Sequence, residues 1–316
     1  MPRHNVKVAV VAGGAGFIGS HLCEYLLKKN YRVYAVDNLI TGRRKNIESL
    51  LQHSDFTWID HDIINPLLMN SPCDEIYNLA SPASPVDFEK FPDFILKTAA
   101  LGHLNLLNWA RTHNSKILFA STSEIYGDPL IHPQVESYLG NVDCTGIRGC
   151  YDEGKRFGEA LSMSYRRKYK LQTRIARIFN TYGPRMRPED GRVIPNFFTQ
   201  ALAGKPLTVY GDGKQTRSLC YVTDLVEGLY RLMQSEIHLP INIGNPQEMT
   251  ILEIAKAVSE ACSVKLETES KPLPPSDPRL RRPDISKAKT LLKWSPQTSL
   301  SQGMILTCNY FKNLVP

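Results

Sequence analysis

Tyr151 and Lys155 are the two residues whose types and spacing could carry out chemistry. They lie four positions apart in the segment Tyr151-Asp-Glu-Gly-Lys155, so on a helix they project from the same face. A lysine ammonium beside a phenol favours the phenolate and would lower the tyrosine pKa from about 10. A tyrosine tuned in this way can take the proton of a substrate alcohol. Because this spacing is common, its meaning depends on the rest of the chain.

The turn Gly13-Gly-Ala-Gly-Phe-Ile-Gly19 has the composition of a phosphate-binding loop. Glycines at 13, 16 and 19 would permit a tight turn, a close backbone approach to a pyrophosphate, and close packing of helix on strand. An apolar strand at Val6–Ala12 precedes the turn, and a helix at Phe17–Lys29 follows it, which is the context that the motif requires. The N-terminus of that helix favours phosphate. We therefore predict that a dinucleotide binds at Gly13, Gly16 and Gly19.

Asp37 ends the second predicted strand, about twenty residues beyond the turn. A carboxylate in this place accepts hydrogen bonds from an adenosine ribose and repels a 2′-phosphate, which favours NAD over NADP. Arg43 and Arg44 argue the other way, because an arginine near this position could hold the phosphate. We expect NAD.

Short strands and helices alternate through the first half of the chain. Strands are predicted at Tyr31–Val36, Phe56–Ile59, Glu75–Ala80, Lys116–Ala120 and Thr173–Phe179, and helices at Asp93–Thr112 and Asp152–Lys168. Such alternation is typical of a parallel sheet covered by helices on both faces. The prediction is an α/β fold with a Rossmann-type, doubly wound parallel sheet.

Beyond about Pro184, prolines and glycines become frequent, which indicates a smaller lobe with longer loops. The predicted elements are helices at Asp224–Gln234, Ile251–Ala261 (Thr250 as N-cap), Ile285–Leu292 and Ser301–Phe311, a strand at Pro240–Ile243, and a proline-rich connector at Lys271–Pro278. We divide the chain into an NAD-binding domain, 1–181, which also receives the 221–235 segment, and a discontinuous α/β substrate lobe, 182–316.

The composition limits the classes of function. The 316 residues carry a formal net charge of +7, but the basic residues are dispersed, which favours anionic small molecules over nucleic acid. The seven cysteines are scattered, with no Cys-x-x-Cys, and this indicates reduced thiols without a zinc site. No secretory signal or apolar run of about 18 residues is present. We expect a cytoplasmic protein that binds no metal and no membrane.

The glycine turn, Asp37, the segment Ser121–Gly127 and the Tyr151/Lys155 pair, in this order, resemble the extended short-chain dehydrogenase/reductase family. Five longer segments narrow the resemblance to its UDP-glucuronate decarboxylase group: Ala80-Ser-Pro-Ala-Ser-Pro85, Tyr151-Asp-Glu-Gly-Lys-Arg156, Ala176-Arg-Ile-Phe-Asn-Thr-Tyr-Gly-Pro-Arg185, Asp190-Gly-Arg-Val193 and Asn242-Ile-Gly-Asn-Pro246. The likeness runs from about Val6 to the last helix.

This resemblance implies an overall reaction without net redox. NAD takes a hydride from C4 of the glucuronate ring while Tyr151 takes the hydroxyl proton. The resulting ketone is β to the C5 carboxylate, so CO2 can leave with the ketone as electron sink. Protonation at C5 and return of the hydride to C4 then give UDP-xylose.

The resemblance also implies roles for individual residues. Tyr151 is the base, Lys155 orients the cofactor ribose, Thr122 bonds the C4 oxygen, and Glu124 lies near C5 in acid–base or positioning work. NAD contacts are implied for Gly16, Phe17, Ile18, Asp37, Asn38, Thr41, Gly42, Asp62, Ile63, Leu79, Ser81 and Thr98. Contacts with the sugar nucleotide are implied for Lys97, Asn105, Asn180, Arg192, Tyr210, Gln215, Arg217 and Arg281, the last two suiting its diphosphate. Arg185 is a further candidate near the substrate carboxylate.

Some alternatives stay open. Glu124 could only cap its turn, Asn180 could be a turn residue, and Arg281 could be solvated. The chain departs from the group at Gly102-His103, where Gly-Thr is usual, and at Asp143-Cys-Thr145, where Asn-Pro-Ile is usual, so fine substrate preference is open.

Three other readings compete with the decarboxylase. A dTDP-glucose 4,6-dehydratase would need an acid where this chain has Ser123. A UDP-sugar 4-epimerase shares the first step, although Glu124 and the decarboxylase-type segments argue against it. A non-catalytic NAD-sensing or RNA-associated relative would often lack the Tyr or the Lys. A homodimer is also implied, through the helices at Asp93–Thr112 and Asp152–Lys168, with an apolar stripe of Phe157, Leu161 and Tyr165.

Overall fold

The computed structural model describes residues 6–67, 69, 72–272 and 281–314. Its first half contains strands β1 (Val8–Ala12), β2 (Arg32–Asp37), β3 (Phe56–Asp60), β4 (Glu75–Asn78), β5 (Lys116–Thr122) and β6 (Thr173–Ile178). The helices between them are α1 (Phe17–Lys28), α2 (Pro85–Lys90), α3 (Pro92–Lys97), α4 (His103–His113) and α5 (Gly149–Tyr169). A single 3-10 turn, Ser123–Tyr126, follows β5.

The second half has shorter strands and longer connections. Its strands are β7 (Thr181–Tyr182), β8 (Leu207–Tyr210), β9 (Thr216–Ser218), β10 (Cys220–Tyr221), β11 (Ile241–Ile243), β12 (Glu248–Thr250) and β13 (Thr268–Lys271). Its helices are α6 (Val193–Leu202), α7 (Val222–Gln234), α8 (Ile251–Cys262), α9 (Ser286–Leu292) and α10 (Leu300–Lys312). Residues 273–278 of the predicted connector lie outside the described residues.

Seven strands form one parallel sheet in the order β11-β6-β5-β4-β1-β2-β3. The residues of β1 from Ala9 to Ala12 are fully buried, as expected for a central strand covered on both faces. The chain returns to this sheet from the second lobe, because β11 pairs in parallel with β6 and α7 packs beside α1. The predicted Rossmann-type fold is confirmed.

One predicted helix is divided in the structure. The segment Asp93–Thr112 consists of α3, a π-helical turn at Thr98–Gly102, and α4. Gly102 faces Ile63, and a Cβ at this glycine would lie 2.8 Å from the Ile63 Cδ1. The π turn therefore brings the helix backbone against the loop that follows β3, beside the predicted cofactor residues Asp62 and Ile63.

Helices α6, α8 and α10 pack on one another in the second half, and their apolar residues belong to the same core as those of β1 and α1. The rings of Phe198 and Phe311 stack there with centroids 5.4 Å apart. Thr250 caps α8 as predicted, since its side chain accepts the Glu253 N–H at 3.1 Å. Among the described residues, no helix is long and apolar enough to cross a membrane.

Candidate active site

The functional residues collect at one edge of the sheet. The glycine turn follows β1, Asp37 ends β2, Ser81 lies just beyond β4, and Thr122 ends β5. Since these strands are parallel, their carboxyl ends meet at the same edge, where a doubly wound sheet binds its ligands. Residues far apart in sequence therefore share one crevice.

The glycine turn is built so tightly that side chains cannot be accommodated. Gly13 has a φ of +79°, and a Cβ there would lie 2.9 Å from the Ala80 backbone nitrogen. A Cβ at Gly19 would lie 2.0 Å from the Gly13 oxygen, so the start of α1 packs directly on the turn. This geometry leaves the first N–H groups of α1 close to the turn, as a pyrophosphate site requires.

Asp37 is held by the turn that it faces. Its carboxylate accepts the Ala15 N–H at 3.0 Å and the Leu39 N–H at 2.8 Å. Burial raises the pKa of Asp37, while these backbone N–H groups oppose the rise. Gly42 must be small, because a Cβ there would lie 2.5 Å from the carboxylate. The carboxylate is thus fixed at the position from which it can meet a ribose.

Arg43 and Arg44, the two residues that argued for NADP, are engaged elsewhere. The Arg43 guanidinium donates to the Met186 oxygen at 3.0 Å and to the Tyr310 hydroxyl at 2.9 Å. The Arg44 guanidinium lies over the Trp58 ring, 5.1 Å from its centroid. Both groups are held by other contacts, which favours NAD.

A cleft of about 480 Å³ lies beside the turn and Asp37. Most of the predicted NAD residues line it: Gly13, Gly16, Asp37, Asn38, Thr41, Gly42, Asp62, Ile63, Leu79, Ser81 and Thr98. Phe17, Ile18 and Gly19 belong to the first turn of α1 and are not part of the lining. The Thr98 hydroxyl is buried without a hydrogen-bond partner among the described residues. An orphaned hydroxyl, a glycine cradle and a ribose-type carboxylate together fit a dinucleotide.

Helix α5 places Tyr151 and Lys155 side by side at the end of β5. The Lys155 ammonium donates to the Ala120 oxygen at 2.8 Å and lies 5.6 Å from the centroid of the Tyr151 ring. The Tyr151 ring stacks on Phe88 with centroids 5.0 Å apart. The Thr122 side chain lies near enough to the Tyr151 oxygen to lower the pKa of the phenol. The predicted Tyr, Lys and Thr are therefore brought together, with the phenolic oxygen and the hydroxyl side by side.

The predicted effect of Lys155 on the pKa of Tyr151 needs correction. Burial raises the pKa of Tyr151, and the groups that oppose this rise are Thr122, Arg192 and Arg148. Burial also lowers the pKa of Lys155 to about 8. The Lys155 ammonium is directed at the Ala120 oxygen and not at the Tyr151 oxygen, and this geometry accounts for its small effect on the phenol. The largest effects that oppose the rise come from Thr122 and two arginines, Asp152 adds to the rise, and the net shift of the Tyr151 pKa is upward.

Glu124 lies in the 3-10 turn after Thr122 and has two cationic partners. Its backbone N–H donates to the Thr122 hydroxyl at 3.2 Å. Its carboxylate forms ion pairs with Arg148 on one side and Arg281 on the other. We call Glu124, Arg148 and Arg281 the charged cluster; with all three ionised it carries a net charge of +1. Arg148 joins this cluster to the start of α5, since its guanidinium also pairs with Asp152 at 3.8 Å and lowers the pKa of Tyr151.

Arg148 is a site residue that the sequence reasoning missed. Its guanidinium lies over the Phe88 ring at 5.6 Å, the same ring on which Tyr151 stacks. A signal was available, because Arg148 precedes Tyr151 by three positions and Asp152 by four. Those spacings place side chains on one face at the start of a helix.

Arg281 is close to Glu124, whereas we had grouped it with Arg217 as a diphosphate ligand. Its side chain is almost wholly buried, which excludes the solvated alternative, and a guanidinium N–H also faces the Gly127 oxygen at 3.4 Å. Arg192 is held by the Asp190 carboxylate through two contacts, at 2.5 and 2.8 Å. It is close enough to Tyr151 to lower the pKa of that phenol.

Asn105, Lys97 and Arg185 are each held by partners outside the charged cluster, and their contacts with a sugar nucleotide stay predictions. The Asn105 amide donates to the Ile63 and Ile64 oxygens at 3.0 and 2.8 Å, so it is committed to the loop beside the cofactor cleft. Lys97 is exposed and pairs with Asp93 at 2.9 Å. Arg185 pairs with Glu24 of α1 at 2.5 Å. These partners explain why none of the three side chains lies with the charged cluster.

The remaining predicted substrate residues lie on the second lobe or at its border. Gln215 donates to the Tyr210 oxygen at 2.8 Å, which ties the start of β9 to the end of β8. Arg217 donates to the Thr216 oxygen at 2.8 Å. Asn180 follows β6, and its carbonyl accepts the Cys220 N–H at 2.9 Å. Their roles toward a sugar nucleotide stay predictions.

The chain is similar to known proteins along nearly its whole length. A model of the NAD dependent epimerase/dehydratase family matches residues 9–244. Over 315 residues the chain is 52% identical to UDP-glucuronic acid decarboxylase 2 of Arabidopsis thaliana, covering 100% of this chain and 70% of that protein. Over 305 residues it is 50% identical to UDP-glucuronic acid decarboxylase 5 of the same plant, covering 96% and 89%.

A solved structure extends the likeness to the fold. UDP-glucuronic acid 4-epimerase from Bacillus cereus, in complex with UDP-glucuronic acid and NAD, is 31% identical to this chain with a TM-score of 0.85. The match covers 97% of this chain and 99% of that one.

Proposed function

The chain belongs to the NAD dependent epimerase/dehydratase family, and we propose that it decarboxylates UDP-glucuronate to UDP-xylose with NAD as cofactor. The observation that carries the proposal is the turn after β5. Thr122 lies near enough to Tyr151 to lower the pKa of its phenol, and two residues later Glu124 holds the two arginines of the charged cluster. Groups for alcohol oxidation and groups for a carboxylate are thus adjacent.

The cofactor fits the cleft described above, with the glycine turn at the pyrophosphate and Asp37 at the ribose. When bound, NAD supplies a hydride acceptor and then a hydride donor for C4 of the sugar. Lys155 lies between Tyr151 and the end of β5, where its ammonium can hold a ribose hydroxyl. The protein must retain the reduced cofactor between the oxidation and the reduction of C4. The same NADH then returns its hydride to the sugar, and the overall reaction has no net redox change.

Tyr151 moves the proton of the C4 hydroxyl. Its oxygen lies near the Thr122 hydroxyl, so a substrate hydroxyl placed between them can meet an acceptor and a donor at once. Arg148 and Arg192 lower the pKa of the phenol against the effect of burial. As negative charge develops on the C4 oxygen during loss of CO2, the same hydroxyl groups stabilise it.

The charged cluster acts at the carboxylate and at C5. Its two guanidinium groups can attract a uronate carboxylate, although Asp152 also pairs with Arg148 at 3.8 Å. Loss of CO2 leaves the negative charge on the C4 enolate oxygen, and protonation at C5 then removes it. The pentose ring that results has no carboxylate to bind the cluster. Glu124 is held by two guanidinium groups, so its carboxylate is fixed in position for work at C5 rather than free to turn.

A direct assay tests the proposal. Purified protein is incubated separately with UDP-glucuronate, dTDP-glucose and UDP-glucose, and the products are identified by mass spectrometry. We expect UDP-pentose and CO2 from UDP-glucuronate alone. A hexuronate product without CO2 would indicate an epimerase, and turnover of dTDP-glucose would indicate a dehydratase; either outcome would overturn the proposal.

We also propose a cytoplasmic homodimer. Leu96, Leu101 and Phe157 are between 45% and 49% exposed, and they lie on α3, the π turn and α5, which pack on one another. Leu161 and Tyr165, the rest of the predicted stripe, instead pack against the core beside β4. Phe157→Glu should convert a dimer to a monomer in sedimentation equilibrium, with Val264→Glu as an exposed control.

The cytoplasmic location rests on the scattered cysteines, all seven of which are free thiols, and cell fractionation tests it.

A further inference from the structure

Two buried amide side chains, Gln134 and Asn242, lie behind the charged cluster. Gln134 is 1% exposed and Asn242 is 0% exposed. Neither residue belongs to the catalytic, cofactor or substrate sets described above. Both are fully engaged in hydrogen bonds, and those bonds lead to the two chain segments that carry Glu124 and Arg281.

Gln134 fastens the segment that follows Arg281. Its backbone N–H donates to the Arg282 oxygen at 2.9 Å, and its side-chain oxygen accepts the Arg282 N–H at 2.8 Å. Its own carbonyl accepts the Asp284 N–H at 2.9 Å. Gln134 therefore holds Arg282, the residue next to Arg281, at both its backbone N–H and its backbone carbonyl.

Asn242 joins that segment to the turn that carries Glu124. Its amide nitrogen donates to the Gln134 oxygen at 3.0 Å and to the Asp284 oxygen at 3.1 Å. Its amide oxygen accepts the Tyr126 hydroxyl at 2.8 Å. Tyr126 lies in the 3-10 turn with Glu124, two positions further on. One side chain on β11 thus connects the two halves of the Glu124–Arg281 ion pair.

This connection matters because Arg281 is not in a helix or in any of the named strands. It is the first described residue after 273–280, and α9 begins only at Ser286. An arginine has several rotatable bonds, so its guanidinium is placed accurately only when its backbone is fixed. A displacement of about 1 Å at a reacting group can lower a rate by about 100-fold.

We propose that Gln134 and Asn242 are positioning residues that hold Arg281 against Glu124 and thereby set the geometry of the charged cluster at C5. This inference rests on the proposed decarboxylation. The two residues act through the ion pair and touch no substrate atom. Asn242 lies on β11, the edge strand of the large sheet, so the two residues also link that strand to the catalytic turn.

A double-mutant cycle separates positioning from general stability. Gln134→Met keeps the volume of the side chain and removes its polar atoms, and Arg281→Lys shortens the reach to Glu124. We expect Gln134→Met to lower kcat for CO2 release by about tenfold, with the Kd for NAD within about twofold of the parent. In the Arg281→Lys background the same change should alter kcat by less than about threefold, because the partner it positions has gone.

Two further variants sharpen this cycle. Gln134→Glu keeps an oxygen acceptor for the Arg282 N–H and should recover most of the lost kcat. Asp284→Ala is the matched control: among the described residues its carboxylate accepts the Ser286 N–H at the start of α9, at 2.8 Å, and no other hydrogen bond. This control disturbs the same segment on the side away from Arg281, and kcat should stay within about twofold of the parent.

The outcomes are distinguishable. If the parent releases no CO2, the proposed function fails. If the parent does release CO2, two results overturn the positioning role alone. One is that the decreases in kcat caused by Gln134→Met and Arg281→Lys multiply in the double variant. The other is that Gln134→Met folds and has the parental kcat. If Gln134→Met does not fold, Tyr126→Phe replaces it in the cycle, since this variant removes only the hydroxyl that reaches Asn242; multiplicative effects there would equally contradict the proposal.

Discussion

The cofactor cleft and the charged cluster are assembled in different ways. The cleft takes its principal groups from short stretches that directly follow β1, β2 and β4, and each group is fixed by neighbours close in sequence, as Asp37 is by Ala15 and Leu39. The charged cluster joins Glu124, Arg148 and Arg281, which come from a turn after β5, the approach to α5, and a segment next to α9. The first site depends on local backbone geometry, and the second depends on the fold of the whole chain.

This difference has a functional consequence. Binding NAD needs little more than the first half of the chain, whereas the chemistry at C5 needs the second lobe to return Arg281 to Glu124. Substitutions in the two regions should therefore separate cofactor affinity from turnover, and each experiment below measures both.

The largest effect is expected at the residue that serves both regions. Tyr151→Phe removes the oxygen that takes the C4 proton, so kcat should fall by at least about 1,000-fold. The glycine turn and Asp37 are untouched, and the Kd for NAD, measured by fluorescence titration, should stay within about threefold of the parent. Near-parental turnover by a folded Tyr151→Phe protein would remove Tyr151 from the mechanism.

A smaller effect is expected within the charged cluster. Glu124→Gln keeps the shape of the side chain but removes the charge that holds Arg148 and Arg281, leaving two arginines without their common partner. We expect kcat to fall by about 100-fold, while the affinity for NAD is unchanged. Steady-state kinetics and NAD titration of the same preparation provide the comparison. An unaltered kcat would reduce Glu124 to a capping residue.

The converse variant lies in the cofactor region. Asp37→Ser removes the carboxylate that faces the ribose, so NAD affinity should fall by about tenfold and the preference over NADP should narrow. At saturating NAD, kcat for CO2 release should recover to within about twofold of the parent. If kcat stayed low at saturation, the two regions would not be separable as described.

The smallest effect concerns the free energy of unfolding of the fold that supports both regions. His103 is fully buried, accepts the Asn78 amide N–H at 3.1 Å through Nδ1, and donates to the Ser162 hydroxyl at 2.7 Å through Nε2. This tautomer is assigned from the network, because the Ser162 hydroxyl itself donates to the Gly158 oxygen. Burial, with a smaller contribution from Lys155, lowers the pKa of His103 to about 3. The imidazole is therefore neutral in the folded protein.

The sign of the resulting pH dependence follows from linkage. Below pH 6.5 the unfolded chain binds a proton at His103 that the folded protein does not bind, so stability falls as the pH is lowered. Between pH 6.5 and 5 this contribution is roughly 2 kcal/mol. His103→Thr should lose that part of the slope in urea unfolding, with the exposed His53 replaced by Thr as control. Equal slopes in the parent and His103→Thr would contradict a neutral buried imidazole.

The contrast between the regions also explains what could be predicted from the sequence. The glycine turn and Asp37 follow from local spacing, because a strand, a tight turn and a helix fix one another. The Tyr151/Lys155 pair follows from the spacing of one helix face, whereas Thr122 and the other NAD-contacting positions come from the family resemblance. What the sequence does not indicate depends on tertiary contacts. Nothing near Arg148 or Arg281 in sequence indicates that Glu124 is its partner, and the contact of Arg281 with a diphosphate stays a prediction.

The corrections have the same origin. The lysine spacing suggested a direct effect on the phenol, but the end of β5 offers the Ala120 oxygen to that ammonium. Asn105 follows a π turn that the sequence pattern does not predict. The side-chain amide of Asn105 therefore reaches the loop after β3. Local periodicity predicts which face a residue occupies, and the neighbouring element decides what it touches.

The central claim is that this chain removes the carboxyl group of a UDP-hexuronate. The most direct test uses UDP-glucuronate labelled with carbon-13 at the carboxyl carbon, incubated with the protein and catalytic NAD in deuterium oxide. The account predicts labelled CO2 in equal amount to UDP-xylose, with one deuterium at C5 of the pentose and no accumulation of NADH. Retention of the label in a hexuronate product, with no CO2 released, would contradict it.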